Sequence, residues 1–177
     1  MRVIRSKEEL KSIPFPVKLV AIVGFLTTIL VNPWTATDPV NLIKLGALTI
    51  GGFTLMIYLA KQQVILEKIQ LNKVFLILIL IFITQLLLVV IFSGSAFALQ
   101  FYGIFGRNTG FLAYLSLAIL FVVCVFYIER QGLRLLLAAF FLVGLLSIIY
   151  GTVQSYYKDP INWSSWNPVI GFLGNTN

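Results

Sequence analysis

An all-α, polytopic transmembrane bundle of about five helices is the fold this sequence calls for. Charged residues are scarce, the apolar stretches approach membrane-crossing length, and the cations are sorted between alternate loops. Of the 177 residues, 59% are hydrophobic and 11% charged, and the mean hydropathy is +0.98. A domain surrounded by water carries about 25% charged residues, so most of this surface faces something apolar. A hydrocarbon core of about 30 Å, crossed at about 1.5 Å per residue, takes about 20 mostly apolar residues per helix. Barrel strands would instead alternate apolar and polar over about 10 residues, and these runs are continuous.

The chain opens with a basic segment, residues 1–16, expected to be cytoplasmic. Ser6 and Glu9 have capping-box spacing, and a short interfacial helix carrying Leu10 and Ile13 competes there with a loose basic tail. The transmembrane region is expected over residues 17–152. Its first helix runs from Val17 to Val31, with Lys18 laying its stem on apolar surface and its ammonium among headgroups. No Ala-x-Ala site follows it, so this helix reads as retained rather than as a cleaved signal peptide.

The second helix, Leu42 to Ala60, has Gly46, Gly51 and Gly52 as a small side for close helix contact. In the third, Val74 to Phe92, Gln85 is an amide in hydrocarbon that needs a partner. A hydrogen bond that fixes helix packing is its first reading, and a substrate contact the other. The run from Phe92 to Gly106 is too polar and glycine-broken to span, yet apolar enough to dip into the bilayer edge, with Gly94, Gly103 and Gly106 supplying turns. The fourth helix, Thr109 to Ile128, takes Asn108 or Thr109 as its cap, and the fifth runs from Leu133 to Thr152. Residues 153–177 then form a tail that ends where a sixth helix would start, as in a truncated protein.

Orientation follows from the cations. Arg2, Arg5, Lys7, Lys11, Lys18, Lys61, Lys68, Lys73, Arg130 and Arg134 fall on one side, and Lys44, Arg107 and Lys158 on the other. Lys and Arg resist translocation, so the richer side is cytoplasmic. The same spacing between apolar runs does not make a nucleic-acid face, and no nucleic-acid partner is expected. With no His and a single cysteine, Cys124, a His-based triad, a His-ligated metal, an internal disulfide and a Cys-x-x-Cys motif are all excluded within this chain. All six acidic residues lie outside the spans, which argues against an ion or proton pathway. No metal or cofactor is expected.

Chemistry therefore gathers on the outward loops. Arg107 lies where positive-inside bias disfavours a cation, beside a helix start whose free N–H groups also attract anions. Its guanidinium could grip a phosphate bidentately or serve as an interfacial anchor. Tyr156, Tyr157, Trp163 and Trp166 in the tail suit either sugar stacking or interfacial anchoring, and Asp38 and Asp159, each beside a proline, read first as solvated turn residues and second as an outward acid or base.

The Gly-x-x-Gly-Arg-x-x-Gly-x-x-x-Tyr-Leu run from Gly103 to Leu115, with Gly106, Arg107 and Gly110 within it, precedes a second motif, Gly171-Phe-Leu-Gly-Asn-Thr-Asn177. In this order and on these loops the two motifs resemble the O-antigen ligase and O-antigen polymerase family, although Thr176 stands where members usually have Pro. The resemblance implies the N-terminal part of an integral-membrane glycosyltransferase of the plasma (inner) membrane. Such a protein takes its donor from a polyprenyl diphosphate-linked oligosaccharide and delivers it to a glycan or lipid acceptor. It assigns Arg107 to the carrier phosphate and Gly174, Asn175 and Asn177 to a structural helix start. It also implies a catalytic His in a large outer loop, which this chain does not contain, so the chain by itself is expected to be inactive. The alternative is a small non-enzymatic helical membrane protein, a scaffold or assembly partner.

Overall fold

The computed structural model describes residues 13–32, 34, 40–63, 67, 72–104, 107–156 and 172. The expected cap at Ser6 and Glu9, Leu10, Asp38, Gly106, the tail aromatics beyond Tyr156, Asp159, and Gly174, Asn175 and Asn177 lie outside them. The described residues form six α-helices and no strands: α1 (Phe15–Ile29), α2 (Asn41–Ala60), α3 (Lys73–Phe92), α4 (Phe97–Tyr102), α5 (Phe111–Tyr127) and α6 (Arg130–Ser155). Three of them, α2, α3 and α6, are long and apolar enough to cross a membrane, which fits a multi-pass membrane protein. The apolar helices α1 and α5 have 15 and 17 residues, short of the roughly 20 that a full crossing takes.

Sequence chemistry sets most of these boundaries. Pro14 caps α1 and Pro16 lies in its first turn, where the missing N–H is not required. Asn72 caps α3 by accepting a hydrogen bond from the Phe75 N–H at 3.2 Å. α6 exceeds its expected bounds at both ends and draws Arg130 and Arg134 into its first turns. Small hydroxyls within the helices cost little, because Thr27, Thr49, Thr54 and Ser116 each donate to the carbonyl four residues earlier, at 2.8 to 2.9 Å.

The centre of the bundle is α1, α2 and α5, which pack on one another, with α6 against α1 and α3 against α5. Val20, Leu55 and Val123, one from each central helix, form its buried heart. In lipid there is no hydrophobic gain from pressing helices together, so close van der Waals fit must hold them. The glycines of α2 supply that fit: Gly51 lies on the Val23 side chain of α1, and a Cβ at Gly52 would come within 2.9 Å of the Ser116 Cβ on α5. Gly46 has nothing within 4 Å, so the small side expected of α2 is used at two of its three glycines.

Neighbouring contacts fix the helix directions. The Tyr58 ring, late in α2, lies 5.6 Å from Phe15 at the start of α1 and 6.2 Å from Tyr127 at the end of α5. Phe75, early in α3, meets Phe126, late in α5, edge-on at 5.1 Å. Gly132, early in α6, faces Val17 of α1. The starts of α1, α3 and α6 and the ends of α2 and α5 thus share one end of the bundle. Lys18, Lys61, Lys73, Arg130 and Arg134 stand at this basic end, while Lys44 and Arg107 belong to the opposite end.

Candidate functional site

The last turns of α3, the short α4 and the first turn of α5 meet at the opposite end. Gly94 (φ 70°) and Gly103 (φ 90°) turn the chain on either side of α4 in conformations that side chains with a Cβ rarely adopt. Six residues of helix rise about 9 Å, far short of a crossing. Phe97, Leu99 and Tyr102 stay exposed. The Phe101 ring pins this segment, stacking at 5.3 Å on Phe97 and at 5.7 Å on Phe111 of α5.

The loop from Gly103 to Gly110 closes on itself. A Cβ on Gly103 would strike the backbone nitrogens of Thr109 and Gly110, and one on Gly110 would meet the Phe101 carbonyl oxygen at 2.5 Å. Both motif glycines are therefore required by backbone meeting backbone. Within the loop the N–H groups of Arg107 and Asn108 donate to the Ile104 carbonyl at 3.0 and 2.9 Å. Asn108 adopts φ 50°, a left-handed conformation that Asn tolerates. This corrects the expected cap: α5 begins after Gly110, with no side-chain cap, because the chain must first clear Gly103 and Asn108 is turned the wrong way to start a helix.

Arg107 is exposed at the tip of this loop, and its guanidinium has no hydrogen-bond or ion-pair partner among the described residues. It flanks a cleft of about 610 Å³ without lining it. The cleft is lined by Gln85, Val89 and Ser93 at the end of α3, by Ser95, Leu99 and Gln100 before and in α4, and by Thr109, Phe111 and Tyr114. Amide, hydroxyl and phenol groups lie there among apolar ones, and the lining includes no charged side chain. Such a lining can hydrogen-bond a neutral, hydroxyl-rich ligand; it offers no carboxylate or amine for proton transfer. Gln100 donates through Nε2 to the Ser95 carbonyl at 2.5 Å, and its Oε1 is buried with no hydrogen-bond partner.

Gln85 corrects another expectation. It is exposed and makes no hydrogen bond among the described residues, so it does not fix helix packing. The physical reason is that α3 stands at the margin of the bundle, packed against α4 and α5 but with no buried residue along its length. Its amide instead forms part of the cleft wall.

Phe82 and Tyr114 line both this cleft and an apolar groove of about 410 Å³ that continues between α3 and α5 past Leu78, Leu117 and Ala118 to Phe75. Nothing in the sequence signalled that adjacency, which depends on how α3 packs against α5. Sequence reasoning also passed over Lys44 as a tie: its ammonium donates to the Phe172 carbonyl at 2.5 Å, and the Phe172 ring stacks on Tyr150 of α6 at 4.4 Å. Phe172 in the tail is thereby held at the same end as the cleft. Among the described residues no group of His, Cys, Asp or Glu could hold a metal ion. Comparison of the chain with protein-family models, with curated proteins and with solved structures finds no match.

Proposed function

We propose that this chain is the N-terminal part of an integral-membrane glycosyltransferase of the O-antigen ligase or polymerase type, in the plasma membrane, with five membrane-crossing helices in this part and a cytoplasmic N-terminus. It handles an oligosaccharide carried on polyprenyl diphosphate and delivers it to a glycan or lipid acceptor. One observation carries the reading: a cleft with amide, hydroxyl and phenol groups adjoins an apolar groove between helices, with Arg107, which has no partner among the described residues, beside the cleft. A lipid-linked sugar is an amphiphile of that pattern, with hydroxyl-rich rings for the cleft, a long hydrocarbon tail for the groove and a diphosphate between them. The cleft volume falls within the roughly 300–1,000 Å³ usual for ligand sites.

The charge distribution supports the orientation. Cations gathered at the basic end favour the cytosol, which leaves Arg107 on the outer face where the carrier presents its diphosphate. A guanidinium there would offset the charge that develops as the sugar–diphosphate bond breaks. In this proposal α1 and α5 complete their crossings through flanking residues or local thinning of the bilayer.

Reconstitution of the chain in lipid nanodiscs and titration with a polyprenyl diphosphate test the reading. Binding should be saturable and stronger than for the corresponding polyprenol, and Arg107→Ala should weaken it about tenfold or more, the worth of one charge-assisted hydrogen-bonded contact. Equal binding of diphosphate and polyprenol, or an unchanged affinity in Arg107→Ala, would overturn it. The second reading, a non-enzymatic scaffold, is favoured by the cleft lining, which supplies no acid or base.

A further inference from the structure

We propose that the basic end of the bundle holds an anionic glycerophospholipid, with its acyl chain in the groove between α1 and α6 and its phosphate on Lys18 and Arg134. The site lies at the opposite end from the cleft and does not depend on the glycosyltransferase reading. α1 and α6 start together and run parallel, Val17 lying against Gly132, and two apolar hollows of about 220 and 450 Å³ open beside their contact. Ala21, Phe25 and Ala139 line both hollows, which therefore adjoin. Small residues create the space: a Cβ on Gly24 would meet nothing within 4 Å. Every lining residue is apolar apart from one, Lys18, which stands at the end where both helices begin.

Lys18 is half-buried beside the groove mouth. Arg134 precedes the lining residue Ala138 by four positions and so stands one turn away along the same face of α6, with Arg130 one turn further out. Glu129 is the acidic residue at this point of the chain, and no ion pair joins it to any of the three cations among the described residues. Cations with no ion-pair partner among the described residues, placed at headgroup depth over an interhelical apolar groove, form the arrangement that selects anionic lipid headgroups. A neutral lipid would fill the same groove without meeting that charge. The occupant is therefore defined at both ends, by an acyl chain and by a phosphodiester with net negative charge.

The test is native mass spectrometry of the full chain released from bilayers of equal parts phosphatidylglycerol and phosphatidylcholine. The proposal expects phosphatidylglycerol to be retained in preference, and Lys18→Gln with Arg134→Gln to lower that preference by roughly five-fold for each cation lost. Lys61→Gln with Lys73→Gln, which removes the same charge from elsewhere at the basic end, should leave the preference in place. Ala138→Leu, which enlarges a lining residue of the hollow that Lys18 also lines and leaves every cation untouched, should reduce retention of phosphatidylglycerol by filling the groove. Equal retention of the two lipids by the native chain, or an equal loss from the Lys61 and Lys73 pair, would overturn the proposal, as would full retention in Ala138→Leu.

Discussion

Gly110→Ala is the substitution that most directly probes how the Arg107 loop is built. The new Cβ would lie against the Gly103 nitrogen, 2.5 Å from the Phe101 carbonyl oxygen and 2.6 Å from the Tyr102 carbonyl carbon. All three are backbone atoms, so no side chain can rotate away, and the two strands of the loop must separate by about 1 Å to reach an ordinary contact of about 3.5 Å. Overpacking of this kind costs about 1–3 kcal/mol. Gly103→Ala adds backbone strain of about 1–3 kcal/mol, because its φ of 90° is itself unfavourable for any residue with a Cβ. The loss should stay local, since α4 buries no residue and the central contacts of α1, α2 and α5 lie elsewhere. Hydrogen exchange in detergent reads it at the Gly103, Arg107 and Asn108 amides, which donate to Leu99 and Ile104 carbonyls. A cost of about 2 kcal/mol lowers their protection about 30-fold, while the interior of α5 keeps its own. Gly144→Ala, a helix position with nothing within 4 Å, is the control. Unchanged protection in Gly110→Ala, or an equal loss in Gly144→Ala, would refute the packing argument.

The remaining predictions concern the bundle and the cleft. Gly52→Ala should destabilise the protein by about 1–3 kcal/mol, seen as a lower thermal midpoint in detergent, because its Cβ would press on Ser116; Gly46→Ala should lose nothing. Gly51→Ala should cost a similar amount, and Val23→Ala should relieve part of it, giving a favourable coupling in a double-mutant cycle. Gln85→Leu should leave the thermal midpoint unchanged or raise it, since no hydrogen bond is lost, yet weaken binding of a sugar-bearing lipid to the cleft. A clear fall in its midpoint would restore the packing role.

Much of the helix layout could be read in the sequence. α2 and α3 begin within a residue of their expected starts and end where expected, because proline, asparagine and glycine punctuation and long apolar runs are local signals. The turns at Gly94 and Gly103 were equally legible. The start of α5 was not, because Gly110 is fixed by its collision with Gly103, a contact that no local pattern encodes. Gln85 misled for a related reason: the cost of an amide in hydrocarbon is a sequence property, but its partner depends on which helix stands opposite.

Composition, run length and the sorting of cations were enough to require a helical membrane protein, since a bilayer leaves backbone N–H and C=O groups no other partners and charges few other places. Helix packing decided the rest. It determined which glycines of α2 are contacts, that a cleft with polar groups adjoins an apolar groove between α3 and α5, and that Lys18 and Arg134 stand at one end of a second groove. Those outcomes depend on the distance between helix axes, which side chains set in pairs across the sequence and no single segment contains.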